Sequence, residues 1–240
     1  VVNVEDVFDQ QSGIVYTAAG NELTLLAGAS ITTEGSDALH VDGPMRKEGN
    51  TPFVFPLGND GVWARIATSN LAGAAATDVW EAEYTFAAAP NAGLTTAPIT
   101  DVSNREYWDI APIAGTPTAD ITLYWEDAAR SNINDLGNLY FAHYTGGSWQ
   151  DEGGTAGPGS SIVAGGTGTL TANVATFSPM TFGKQNTPFP VEYLAFDASL
   201  LSNHQVQLDW TTAQEQNNAR FVVERRNEGA TFRAIGSVPG

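Results

Sequence analysis

The chain has 240 residues, of which 42% are hydrophobic and 10% aromatic, enough to build the core of one large domain or two smaller ones. Its 27 acidic and 10 basic residues give a formal net charge of −17, which makes nucleic acid an unsuitable partner. Cysteine is absent, which excludes disulfides and thiolate chemistry, and no apolar run reaches the roughly 20 residues of a membrane-spanning helix.

The first 44 residues favour short β-strands separated by turns. Segment 21–35 alternates apolar and polar residues, and shorter runs occur at 13–16 and 38–41. Alternation directs one set of side chains inward, here Leu23, Leu25 and Ile31. Such short strands fit either the coils of a solenoid or the edge of a sandwich.

Longer strands follow from residue 51. Alternating β-branched and aromatic residues bounded by Gly, Asn, Asp and Pro indicate strands at 51–58, 62–69, 78–86, 105–112, 119–127, 138–153 and 173–183. This number and spacing predict an antiparallel β-sandwich or jelly roll. Gly146 and Gly147 predict a tight hairpin turn. Aromatic side chains of this size are expected to fill the core, namely Trp80, Trp108, Trp125 and Trp149.

A domain boundary is predicted between residues 187 and 188. Residues 1–187 hold 21 acidic and 6 basic residues, whereas 188–240 hold 6 and 4. Pro188 and Pro190 disfavour helix and remove backbone donors there. Beyond them, strands are expected at 192–200, 205–211, 219–226 and 232–238. Alternation places two apolar sets on strand faces, Val206, Leu208 and Trp210 on one and Phe221 and Val223 on another.

The final segment carries several specific motifs. They are Pro190-Val191-Glu192, Trp210-Thr211-Thr212-Ala213, Glu215-Gln216-Asn217-Asn218, Phe221 with Val223-Glu224-Arg225, Phe232, Ile235-Gly236 and Val238-Pro239-Gly240. With these motifs the segment closely resembles the fibronectin-type-III-like segment near the C-terminal ends of many large proteins that Bacteroidetes export through the type IX secretion system. The preceding "GPMRKEGNTPFVFPLG", "REYWDI", "ITLYWED", "AHYTGGSWQDEG" and "FSPMTFG" resemble the β-sandwich module that commonly stands before it.

The resemblance implies an extracellular, cell-surface-associated protein with no defined activity. It also implies an all-β fold in which residues 1–187 form a sandwich and residues 188–240 a partial fibronectin-type-III-like sandwich. Such a sandwich takes about seven strands, and four leave an apolar face uncovered. Burying that face is favourable at roughly 25 cal/mol per Å². Three solutions stay open: further strands of a longer parent chain, packing on the preceding sandwich, or strands from a neighbouring copy.

Few residues suggest chemistry. His40 and Asp42 share a strand face, the minimum for a metal pair, but no third ligand has a recognisable spacing. His143 is expected to be a hydrogen-bonded sandwich histidine, and His204 to lie in an exposed turn. Calcium is the better metal candidate because one loop is rich in side-chain oxygens, from Asp127, Asn132, Asn134 and Asp135. Asx turns explain the same residues without an ion.

No catalytic residue or cofactor is predicted, and the expected function is a non-enzymatic structural one. The chain is interpreted as a subunit or stalk module of a surface filament, sheath or adhesin that assembles by β-strand docking with other copies or with a larger parent chain. The predicted contact residues are Val1, Val2, Val4, Val7, Phe8, Val206, Leu208, Trp210, Phe221 and Val223. Two alternatives remain: a polysaccharide-binding accessory module of a larger secreted hydrolase, which exposed aromatic rings would favour, and a calcium-stabilised adhesin.

Overall fold

The computed structural model describes residues 1–177, 179–185, 193–202, 205–212, 220–227 and 231–239. Every regular element in these ranges is a β-strand, which confirms the predicted all-β class. The chain divides into two compact units, Val1–Gln185 and Asn186–Gly240, called unit 1 and unit 2 below. The residues on which the boundary was predicted, 187–190, lie outside the described ranges.

The strands of unit 1 are β1 (Val2–Val4), β2 (Val7–Phe8), β3 (Val15–Tyr16), β4 (Leu23–Leu25), β5 (Ser30–Ile31), β6 (Val41–Asp42), β7 (Met45–Glu48), β8 (Phe53–Phe55), β9 (Leu57–Asn59), β10 (Val62–Trp63), β11 (Ile66–Ala72), β12 (Val79–Thr85), β13 (Asp101–Val102), β14 (Tyr107–Ala114), β15 (Thr118–Trp125), β16 (Leu139–Thr145), β17 (Ser148–Asp151), β18 (Thr155–Ala156), β19 (Gly168–Val174) and β20 (Met180–Lys184). Those of unit 2 are β21 (Tyr193–Leu200), β22 (Val206–Thr212), β23 (Arg220–Arg225) and β24 (Arg233–Pro239).

The first three coils of unit 1 form a short β-solenoid. Parallel pairing joins β1 to β4 and β4 to β7, so that Val2, Leu23 and Met45 stack in one column. A second parallel stack joins β3, β6 and β9, and β2 pairs with β5 in parallel. Both predicted roles of the short strands are therefore found, because they stack as solenoid coils and β1 and β4 also form the edge of a sandwich sheet. The parallel pairing of the solenoid extends to β9 and so passes beyond the short-strand region predicted at 1–44.

The predicted strand 51–58 is two strands in the structure. Proline lacks the N–H that a continuous ladder needs, and the chain divides at Pro56 into β8 and β9. Strand β8 pairs with β11, whereas β9 pairs with β6. The carbonyl of Pro56 still accepts a hydrogen bond from the Val41 N–H at 2.9 Å. At this division the chain passes from the sandwich sheet, which β8 joins, back to the parallel stack of the solenoid, which β9 continues.

The rest of unit 1 is an antiparallel sandwich whose first sheet continues the solenoid. That sheet runs β1-β4-β7-β12-β14-β20-β16-β17, with β13 also paired to β20, and the second runs β18-β19-β15-β11-β8. The predicted strand 173–183 is also divided, because β19 lies in the second sheet and β20 in the first. The chain therefore changes sheets between β19 and β20.

Aromatic side chains fill the space between the two sheets. The four predicted core tryptophans are each at most 1% exposed, which confirms their placement in the interior. Trp125 of the second sheet meets Phe182 of the first with ring centroids 5.8 Å apart. The predicted hairpin is also confirmed: Thr145 pairs with Ser148, and the two intervening glycines have φ of 60° and 89°.

Unit 2 consists of two antiparallel hairpins, β21-β22 and β23-β24. Phe196 is the register partner of Trp210, and the Trp210 ring contacts Phe221 of the other hairpin at a centroid distance of 5.4 Å. No side chain in the described part of unit 2 is fully buried. The described strands of unit 2 therefore have the faces of a sandwich and do not enclose a core among themselves.

Candidate interaction surfaces

The first candidate surface is the apolar side of unit 2. Its predicted contact residues divide by exposure: Val206 is 59% exposed, while Leu208, Trp210, Phe221 and Val223 are half-buried. A cavity of about 130 Å³ opens between the hairpins beside these side chains. Phe196 next to it is 63% exposed. Since burying one large apolar side chain contributes about 1.5–3 kcal/mol, this side of unit 2 favours contact with further apolar surface.

The strand edges of unit 2 are open as well. Each of its sheets contains only two strands, so within the described residues every strand has one edge without a partner. Unpaired N–H and C=O groups along an edge form a template for another strand. The hairpins therefore present an apolar surface and unsatisfied backbone groups together.

The second candidate surface is the N-terminal end of the solenoid. Val1, Val2 and Val7 are 64%, 63% and 46% exposed, and β1 and β3 lie at the ends of their sheets. The other two predicted contact residues, Val4 and Phe8, are half-buried and pack against the core of unit 1. The exposed valines and the open edge of β1 are therefore the parts of the predicted N-terminal contact surface that another chain can reach.

His40 and Asp42, the predicted metal pair, both make contacts within the solenoid. The His40 ring is fully buried, with Nδ1 3.0 Å from the Ser36 carbonyl oxygen. It packs against Gly58, where a Cβ atom would come within 2.3 Å of the ring. The Asp42 carboxylate accepts hydrogen bonds from the Asn59 side chain and the Asp60 N–H, each at 3.2 Å. Both side chains are therefore accounted for by packing and by turn formation.

His143 is buried in the sandwich, as predicted, and its Nδ1 lies 2.7 Å from Glu152 Oε1. The prediction of a hydrogen-bonded sandwich histidine is confirmed. His204 lies outside the described residues.

The calcium candidates are used in local turns. Backbone N–H groups, first that of Gly165 and then those of Arg130 and Ala129, lower the pKa of Asp127. The Asn138 amide and the Gly137 N–H likewise lower the pKa of Asp135. Asn132 and Asn134 are exposed. Among the described residues, no three His, Cys, Asp or Glu side chains are grouped to hold a metal ion.

A buried carboxyl group that the sequence analysis missed lies in the sandwich core. Glu106 is 1% exposed and accepts a hydrogen bond from the Tyr84 hydroxyl at 2.9 Å. Burial raises its pKa to about 7, although the Ser131 and Tyr84 hydroxyls act in the opposite direction. Strand alternation could have found it, because Glu106 stands in the inward series with Trp108 and Ile110. A perturbed carboxyl can indicate catalysis, but this one is enclosed and no substrate can reach it.

The raised pKa predicts how stability depends on pH. The pKa of the Glu106 carboxyl is about 7 in the folded protein, against an ordinary value of 4.5. Its contribution to stability is therefore fully present below pH 4.5 and is lost as the pH rises through 7. Glu106→Gln keeps an acceptor for Tyr84 without the charge. We expect it to raise the free energy of unfolding at pH 8.5 by about 2–3 kcal/mol and to leave it nearly unchanged at pH 4.5. Urea denaturation at both pH values tests this, and an equal effect at the two would contradict it.

Comparison of the chain with models of known protein families, with curated protein sequences and with solved structures gives no match. In the described part of the chain, no helix has the length and apolar character to cross a membrane.

Proposed function

We propose that this chain is a non-enzymatic structural protein, a subunit or stalk module of an extracellular surface filament, sheath or adhesin. The observation that carries the proposal is the coreless state of unit 2, whose described side chains include none that is fully buried. A strand set with an open apolar side gains free energy by docking another strand or face. The resemblance to exported Bacteroidetes proteins supports an extracellular location and type IX secretion.

The proposed assembly joins the two candidate surfaces of different copies. The N-terminal end of the solenoid offers the open edge of β1 and exposed valines, and unit 2 offers open edges and an apolar side. A contact between two different surfaces is heterologous, and heterologous contacts that do not close into a ring produce filaments. Ladder hydrogen bonds and apolar burial would hold neighbouring subunits together.

The acidic surface is compatible with this role. A net charge of −17 keeps subunits hydrated and opposes nonspecific aggregation. Residues 1–44 contain seven acidic and no basic residues, whereas 188–240 contain six acidic residues and four arginines, which are Arg220, Arg225, Arg226 and Arg233. Both segments are therefore net acidic, and the proposed contact depends on apolar burial and ladder hydrogen bonds rather than on charge attraction.

Electron microscopy and light scattering of the purified chain test the proposal. We expect assemblies that grow with protein concentration and appear as filaments in negative stain. Raising the salt concentration should favour assembly moderately, because it screens the repulsion between net acidic subunits. A protein that stays strictly monomeric and melts in one sharp transition would contradict the proposal.

A second candidate function, binding of polysaccharide, is favoured by a hydroxyl-lined groove in unit 1. Four tryptophans are buried and cannot contact a ligand. The polysaccharide-binding function therefore depends on the groove alone.

A further inference from the structure

A groove opens in unit 1 where one stack of the solenoid is interrupted. The first two coils pair β2 with β5, but the strand of the third coil, β8, pairs with β11 instead. Within the described residues, β5 and β8 therefore each keep one edge without a partner. The space between the β5 segment and the second sheet has a volume of about 740 Å³. This is within the range of roughly 300–1,000 Å³ found for ligand pockets.

Eight of the eighteen residues that line the groove carry hydroxyl groups. Ser30 lies on one wall, Thr51 beside β8, and Ser69 and Tyr124 on the sandwich sheet. In the described part of the chain, these four hydroxyls make no side-chain hydrogen bond that would occupy them. Hydroxyls can both donate and accept, so the walls offer several uncommitted groups of both kinds to a ligand.

The two cations of the groove are already engaged by protein groups. Arg65 binds Glu126 through two hydrogen bonds of 2.7 and 3.1 Å, and its guanidinium lies 4.5 Å from the Tyr124 ring centroid. Lys47 is 4% exposed, and its Nζ donates to the carbonyl oxygens of Leu26 and Glu48 at 2.9 and 2.6 Å. An anionic ligand would compete with these partners for either cation, and the net charge of −17 would repel it.

The Arg65 guanidinium also lies close to two aromatic rings, 4.9 Å from the centroid of Trp63 and 4.5 Å from that of Tyr124. Both rings are half-buried, and Tyr124 lines the groove. A partly exposed ring beside hydroxyls suits a ligand that has both C–H faces and many hydroxyls.

We propose that the groove between β5 and β8 binds a neutral polysaccharide chain. A strand-forming peptide is the competing occupant because two open strand edges face the groove. Strand addition draws specificity from pockets for alternate side chains, whereas eight of the eighteen lining residues here carry hydroxyls. The proposal goes beyond the structural role, since it gives each subunit a means of attachment to a polysaccharide matrix.

Isothermal titration calorimetry of the full chain tests the proposal, with cellohexaose, xylohexaose and mannohexaose as probes. We expect at least one hexaose to bind. Ser69→Trp fills the groove and should abolish that binding, whereas Thr118→Trp, at a half-exposed position of the same sheet outside the groove, should preserve it. Tyr124→Phe removes only one hydroxyl and should weaken binding by about threefold to tenfold. Melting curves establish that each variant is folded.

The proposal is wrong if no hexaose binds or if Ser69→Trp binds as well as the parent chain. It is also wrong if an alternating threonine–valine pentapeptide binds in the groove and the hexaoses do not, since the groove would then be a strand-addition site. Calorimetry detects hexaose binding whether or not the protein assembles. A protein that binds a hexaose but stays monomeric would therefore support the polysaccharide proposal and contradict the filament proposal.

Discussion

Replacing Val206 with glutamate is expected to dissociate the assembled protein. Val206 lies at the start of β22 opposite Leu200, and the two side chains are 59% and 76% exposed. In the proposed assembly this position is covered by a neighbouring copy. Placing an unpaired carboxylate in a covered apolar contact is strongly destabilising, and we expect the dissociation constant to rise by about 100-fold or more.

Light scattering over a range of protein concentrations measures this effect. Ile113→Glu is the matched control, because Ile113 is 50% exposed on β14 and belongs to neither candidate surface. The control should assemble like the parent chain. Equal assembly of Val206→Glu and the parent, or equal loss in both variants, would show that the apolar side of unit 2 does not hold the subunits together.

Replacing Trp125 with alanine is expected to cause the largest loss of stability in unit 1. The side chain is fully buried, it contacts Phe182 across the two sheets, and its indole N–H donates to the Ser161 carbonyl at 3.0 Å. Gly168 leaves room for the ring, since a Cβ there would come within 2.0 Å of it. The truncation leaves a cavity and should cost about 3–5 kcal/mol.

Urea denaturation followed by circular dichroism measures this loss. Trp63→Ala serves as the comparison, because Trp63 is half-buried at the surface and its removal should cost less than about 2 kcal/mol. If Trp63→Ala cost more than Trp125→Ala, the core of unit 1 would not be organised around the contact between the sheets.

Strand alternation predicts much of this fold because one face of each strand is buried. It places Leu23 and Leu25 inside, and the structure leaves them 3% and 0% exposed. The same periodicity predicts the turn at Gly146 and Gly147, since few other residues adopt positive φ without strain. Local patterns of this kind determine which side chains face inward, and they need no knowledge of which strands pair.

Pairing partners and interruptions are harder to predict. Nothing in segment 51–58 specifies that β8 joins an antiparallel sheet while β9 continues a parallel stack, because both choices bury the same apolar residues. The groove beside β5 results from the pairing of β8 with β11, and no local sequence pattern indicates it. Glu106 is hard to predict for another reason: an acidic residue is rarely buried, so alternation alone is a weak ground for placing it inside.

The central claim is that unit 2 completes its structure by contact with another chain. Hydrogen–deuterium exchange of the amides in β21–β24, measured across a range of protein concentrations, tests it most directly. We expect these amides to exchange rapidly in dilute protein and to become protected as the concentration rises, while those in the β15 and β19 core remain protected throughout. Strong protection of unit 2 in the dilute monomer, unchanged by concentration, would contradict the claim.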